Sequence, residues 1–325
     1  MSVRVALIGC GAWGINICRV LLQNERARLV AVADLSKARR DLARAMSSSF
    51  AVVSTLDEAI ALGVEAVCIA TPPRTHVALT LHALDAGLDV FVEKPLALTA
   101  ADADRCVEAA ASLGRIGMVG HLLRYHPTIE RLVSLAKSGE LGPLLELHSS
   151  RLSMRGDRSV SALWSLGPHD LSVLHAIEPL AAAALSVKAG VDGDPVELGL
   201  RFSSGLSARI ELSRVNVTKE RRLCLTFGSR VAVFDDVRAP SRILVGGRGF
   251  VFAKPDMEID VPFREPLALE LDHFLRCVEE REAPRTSFDE GAAVVRLLGQ
   301  ATESLRPEST PLLGVDVIEQ KDAAL

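Results

Sequence analysis

The chain has 325 residues, 49% apolar and 24% charged, which is material for two folded domains and far from a disordered composition. Its 37 basic and 41 acidic side chains leave a formal charge of −4 with no basic block, so a nucleic-acid partner is not expected. Apolar stretches such as Ala59–Ala70, interrupted by Glu65, fall short of the roughly 20 residues a membrane helix needs, so no membrane partner is expected either.

Residues 1–9 read as a strand and not as a secretory leader, which suggests a cytoplasmic protein. The six cysteines form no CxxC pair and do not cluster with histidine. They read as buried thiols in a reducing compartment, and no metal site is expected.

Up to about residue 121 two periodicities alternate. Val3–Ile8, Leu29–Ala33, Ala66–Ala70, Val90–Val92 and Ile116–Val119 are continuous apolar runs suited to strands buried on both faces. Trp13–Gln23, Lys37–Met46, Leu56–Leu62, His76–Ala86 and Ala101–Leu113 read as the helices between them, with Thr75 and Thr99 as caps of the last two. This alternation predicts a doubly wound α/β domain, a parallel Rossmann sheet over residues 1–121.

From 122 to 325 the pattern is that of an α+β domain with a large, mostly antiparallel open sheet. A helix at Thr128–Lys137 precedes strand-like runs at Leu145–Leu152, Ala184–Ala189, Glu197–Phe202, Ser207–Ser213, Arg222–Phe227, Val231–Phe234 and Arg242–Val245. One helix, starting after Pro168, interrupts them. Two more, Pro266–Glu280 and Phe288–Leu305, close the domain.

The segment Ala6–Gly14 follows a predicted strand and opens a predicted helix, the setting in which Gly9-x-Gly11-x-x-Gly14 cradles a dinucleotide pyrophosphate. Ala12 and Trp13 lie inside that turn. Asp34 ends the next strand, where a carboxylate binds ribose hydroxyls and repels a 2′-phosphate, favouring NAD over NADP although Arg39 and Arg40 follow. Ala70–His76 puts Thr71 and Pro72 at the next strand end, near the cofactor, with His76 in the first helical turn. Val92–Leu96 puts Glu93 and Lys94 beside them. An ammonium there can stabilise a developing alkoxide, and burial can lower its pKa into a useful range.

In this order the glycine turn, Asp34, Ala70–His76 and Glu93-Lys94-Pro95 resemble the glucose–fructose oxidoreductase, inositol dehydrogenase and MocA family. Gly120–Pro127, Leu163–Asp170 and Glu265–Val278 extend the similarity over nearly the whole chain, and the first two look most like a UDP-N-acetylglucosaminuronate 3-dehydrogenase branch. The resemblance implies an NAD-dependent oxidoreductase acting on a secondary alcohol or ketone of a sugar, sugar nucleotide or cyclitol. It also implies a second domain that binds this substrate and builds a homodimer or homotetramer.

The family's catalytic lysine matches Lys94, and its histidine, the end of an Asp-x-x-x-His pattern, matches His169. The acid's place falls on Ser165, which can hydrogen-bond but carries no charge. From the residues alone, Gly167-Pro168 suggests that His169 opens a helix, whose N-terminus keeps the imidazole neutral. Arg124, Tyr125, Ser165 and Lys219 are candidates for the substrate mouth. Other readings of the same motifs are an NADPH-dependent ketosugar reductase, an enzyme that cycles hydride internally, and a catalytically weak NAD-binding regulator.

Overall fold

The computed structural model describes residues 2–154, 160–180, 184–249 and 254–305. The first sheet comprises β1 (Val3–Ile8), β2 (Ala27–Ala33), β3 (Ala51–Val53), β4 (Ala66–Ile69), β5 (Asp89–Glu93) and β6 (Gly117–Gly120). They are all parallel, in the order β3-β2-β1-β4-β5-β6. The connecting helices are α1 (Gly14–Gln23), α2 (Lys37–Met46), α3 (Leu56–Ile60), α4 (His76–Asp85) and α5 (Ala100–Ser112). The strands are apolar on both faces because helices cover both. The three-residue β3 carries no sequence pattern long enough to be read as a strand.

After α6 (Pro127–Ser138) comes the second sheet: β7 (Leu144–Leu152), then, beyond α7 (Ala162–Ile177), β8 (Ala184–Ala189), β9 (Val196–Arg201), β10 (Ser207–Ser213), β11 (Glu220–Phe227), β12 (Arg230–Asp235), β13 (Arg242–Gly247) and β14 (Met257–Asp260). Their order is β14-β13-β12-β11-β7-β10-β9-β8, antiparallel except between β7 and β10. The edge strand β14 is mostly exposed and lacks the alternation that marks its neighbours.

The closing helices α8 (Pro266–Glu280) and α9 (Phe288–Ser304) do not pack on the second sheet alone, as closing helices of the second domain would. Leu271, Phe274 and Leu275 of α8 pack on one face of the first sheet, with the Phe274 ring 5.8 Å from Phe91. Ala292 and Val295 of α9 cover its other face, while Val294, Leu297 and Leu298 join the core of the second sheet. α9 is thus shared between the two sheets.

The interrupting helix also differs. It does not start after Pro168 but runs from Ala162, capped by Ser161 Oγ, which accepts from the Trp164 amide at 3.4 Å, and Pro168 lies inside it. A proline removes one helical hydrogen bond. Here Leu163, Leu171, Val173 and Leu174 bury themselves against the second sheet and hold the helix through it. Of the two expected threonine caps, Thr99 accepts from the Asp102 amide, whereas Thr75 Oγ1 turns to Thr71 Oγ1 at 2.7 Å and Pro72 O at 2.8 Å.

Candidate active site

The strand–turn–helix at β1–α1 leaves no room for side chains at two glycines. A Cβ on Gly14 would sit 2.1 Å from the Gly9 carbonyl oxygen, and one on Gly9, whose φ is +95°, would meet Ala70 O at 2.7 Å. A Cβ on Gly11 would meet nothing within 4 Å, because Gly11 faces an open crevice of about 830 Å³. Gly9, Gly11, Asp34, Arg39, Thr71 and Pro72 line that crevice, which runs along the carboxyl ends of β1, β2 and β4. Its bare backbone at the opening of a ten-residue helix suits a pyrophosphate.

At the far end Asp34 is held in place by backbone. Its Oδ2 accepts from the Cys10 amide and its Oδ1 from the Ser36 amide, both at 2.8 Å. Arg40 is committed to the carbonyls of Asp34 and Leu35, at 2.8 and 2.9 Å, whereas Arg39 lines the crevice.

The turns after β4 and β5 are tied together by His76. Its ring, only 1% exposed, spans Thr71 O at 2.9 Å and Pro95 O at 2.8 Å. A neutral imidazole donates only one of these bonds. Burial and the Lys94 charge work against protonation, and the two carbonyls work for it, with a net downward pKa shift. His76 therefore acts as a clamp beneath the crevice, not as a group facing a cofactor.

Trp13 Nε1 donates to Glu93 Oε1, joining the glycine turn to the end of β5. Burial pushes the Glu93 carboxyl up to about 7 against the opposing pull of Lys94 and Trp13.

Lys94 crosses to the second half of the chain. Its ammonium donates to the Ser165 carbonyl of α7 at 2.9 Å, one turn before His169. The Lys94 pKa is lowered by burial, with the Arg151 charge adding to the effect and Glu93 opposing it. His169 is held well below the usual imidazole value, first by burial and then by Lys94, Arg151, His121 and Arg221. His169 lies in the interior of α7, and its lowered pKa comes from desolvation and from cations on neighbouring elements, not from a helix N-terminus.

Ser165 Oγ donates back to the Ala162 carbonyl at 3.4 Å, and His169 Nδ1 is buried with no hydrogen-bond partner among the described residues. Asp170 points away into a buried pair with Arg151, 2.7 Å from its Nε, and also accepts from Ser149 Oγ at 2.7 Å.

Of three substrate candidates, one is buried in the core and two remain at the surface or against α7. Tyr125 is 2% exposed, its hydroxyl 3.3 Å from Thr286 Oγ1 and its ring under the Arg285 guanidinium, so it belongs to the core below α8. Arg124 is engaged by Glu290 at 2.6 Å and by the Ser172 carbonyl at 3.3 Å. Lys219 is exposed on the β10–β11 loop.

Three groups in or beneath the site escaped the motif reading. They are Arg151 (the partner of Asp170), the buried acid Glu270, whose pKa burial and Glu93 raise well above normal, and His121. None has a partner at a telling sequence spacing. Among the described residues no three His, Cys, Asp or Glu side chains cluster as metal ligands, and no helix is long and apolar enough to cross a membrane.

This crevice has the geometry of a dinucleotide-dependent oxidoreductase. Residues 3–121 match the model of the oxidoreductase family with an NAD-binding Rossmann fold. The UDP-N-acetylglucosamine 3-dehydrogenase of Acidithiobacillus ferrooxidans is 30% identical over 255 residues, 76% of this chain and 79% of that protein. A solved structure of that enzyme aligns over 94% of this chain and 98% of its own, at 24% identity and a TM-score of 0.83. The myo-inositol 2-dehydrogenase of Thermotoga maritima is 27% identical over 97% of this chain and its own full length. An oxidoreductase structure from Magnetospirillum magnetotacticum is 30% identical over 92% of this chain and 99% of its own, with a TM-score of 0.79. The chain belongs to the glucose–fructose oxidoreductase, inositol dehydrogenase and MocA family of NAD-binding Rossmann oxidoreductases.

Proposed function

We propose that this chain interconverts a secondary alcohol and a ketone on a sugar, sugar nucleotide or cyclitol, with Lys94 and His169 on the reacting oxygen. The observation that carries this reading is the 2.9 Å bond from Lys94 Nζ to the Ser165 carbonyl, which fixes an ammonium one turn from a neutral imidazole. The substrates named for the Acidithiobacillus and Thermotoga relatives, a sugar nucleotide and a cyclitol, support the substrate class.

The residues fit a nicotinamide dinucleotide: bare glycine backbone for the pyrophosphate and an anchored carboxylate for the ribose. When bound, the cofactor supplies the hydride acceptor or donor. His169 takes the hydroxyl proton, and Lys94 stabilises the negative charge that grows on the same oxygen. Asp34 supports NAD over NADP, because its fixed charge opposes a 2′-phosphate and Arg40 is spent on backbone carbonyls.

The test is a panel of aldoses, polyols and sugar nucleotides, including UDP-N-acetylglucosamine and myo-inositol, assayed with each dinucleotide. NAD-linked turnover that is lost in Lys94→Ala and in His169→Ala, with cofactor binding retained, is the expected result. Full activity in either variant removes that residue from the mechanism.

A further inference from the structure

The register of the first sheet sets His121 beside Lys94. Glu93 pairs with Gly120 across β5 and β6, so the next residues on both strands leave the sheet side by side. Val92 and Val119 just before them face α9, and the Lys94 charge lies close enough to the His121 ring to act against its protonation.

Above them runs one stripe of α7. Its Ser165 carbonyl receives Lys94 and its Ser172 carbonyl receives Arg124, whose amide in turn bonds to the His121 carbonyl at 2.9 Å. His169 lies between these two anchors on the same stripe. The helix packs on the Leu122–Tyr125 turn that His121 opens.

His121 is 1% exposed, and neither ring nitrogen has a hydrogen-bond partner among the described residues. With His169 Nδ1, three buried imidazole nitrogens lack a hydrogen-bond partner among the described residues, and His121 is near enough to His169 to act against its protonation. Each costs free energy unless something joins them. A neutral His169 accepts a substrate proton at Nε2 only in the tautomer that carries hydrogen on Nδ1, and that hydrogen needs an acceptor. The acid position that would supply one holds Ser165, whose hydroxyl is turned to Ala162.

We propose that His121 stands in for the acid absent at position 165, accepting through one bridging water the hydrogen bond from His169 Nδ1 that fixes the base-competent tautomer. His121 is thus a positioning residue that acts through His169. The substrate proton stays on Nε2, and Nδ1–H remains the donor to the water throughout. The groups facing this pair are Lys94, Arg124 and His175 around His121, and Lys94, Arg151 and Arg221 around His169. Lys94, Arg124, Arg151 and Arg221 are donors only, and the His175 ring already accepts the Leu180 amide at Nδ1, so none is an alternative acceptor.

The inference rests on the reading of His169 as the base, and the test separates the two. The full chain is labelled with ¹⁵N-histidine and saturated with NAD⁺, and the His169 signals are those that vanish in His169→Gln. Wild type should show hydrogen on Nδ1. His121→Phe, which deletes two unsatisfied buried nitrogens and keeps a planar ring, should move the tautomer ratio toward Nε2–H by about tenfold, roughly the worth of one hydrogen bond.

Ser165→Asp added to His121→Phe should restore the Nδ1–H form and raise the pH at which His169 protonates. An Nε2–H form in wild type, or an unchanged tautomer in His121→Phe, overturns the inference. Full turnover in His169→Gln would instead remove the reading on which it rests, and the tautomer result would still stand on its own.

Discussion

The Lys94 ammonium donates to the Ser165 carbonyl across the junction of the two sheets, 71 residues away in sequence. That bond brings the end of a parallel strand, whose neighbours hold the dinucleotide crevice, against a helix that belongs to the second core. On the proposed reading, hydride transfer requires such a meeting of the cofactor wall with Lys94 and His169. Neither sheet supplies both.

Coenzyme preference should follow Asp34. In Asp34→Ala the ribose hydroxyls lose a charged acceptor, and affinity for NADH should fall by roughly 10- to 100-fold, about 1.5–3 kcal/mol. NADPH affinity should stay level or rise. Titration of nucleotide fluorescence checks this, and an NADH affinity that does not change would show that Asp34 does not touch the ribose.

The glycine turn should not accept a methyl group. Because the Gly14 Cβ would fall 2.1 Å from the Gly9 carbonyl oxygen, Gly14→Ala forces the helix off the strand. A loss of about 1–3 kcal/mol or more of stability is expected, together with loss of dinucleotide binding. Gly11→Ala, which adds its methyl to open space, should fold normally and weaken only the cofactor. Denaturant melts with and without NAD⁺ measure both.

Acid should destabilise the fold through its buried histidines. Burial and nearby cations hold His121 at about 3, while an unfolded histidine protonates near 6.5. Unfolding therefore takes up a proton between those values, and stability falls as pH drops through that window. At pH 5 the single site is worth on the order of 2 kcal/mol. His121→Phe should flatten the dependence of stability on pH between 4 and 6, measured by denaturant melts across that range. An unchanged slope would show that His121 is protonated in the folded chain.

Breaking the Arg151–Asp170 pair should cost more than its surface counterparts. Their side chains are 13% and 3% exposed, so Asp170→Asn leaves a guanidinium buried without its charge partner. A loss of about 3–5 kcal/mol is expected, against less than about 1 kcal/mol for removing the exposed Lys37–Asp41 pair.

Much of the fold is legible in the sequence. The strand–helix alternation was clear because doubly covered strands are continuous apolar runs, and Gly9–Gly14 and Asp34 have fixed spacing along one βαβ unit. The start of α7 is not legible there because Gly167-Pro168 is a local stop signal, overridden by the burial of Leu163, Leu171 and Leu174 on either side. Tyr125 looked like a mouth residue because it follows the crossover. Sequence position says nothing about which way a side chain turns, and this one turns into the core. His121 was missed because what matters about it, its pairing position next to Lys94, is created by the register of β5 and β6.

The most direct test of the account is the turnover number of Lys94→Ala with NAD⁺ and the best alcohol substrate from the panel, measured alongside its dissociation constant for NADH. The account predicts a turnover lower by on the order of 10²- to 10⁴-fold, with NADH bound within a fewfold of wild type. Wild-type turnover with intact NADH binding would contradict it.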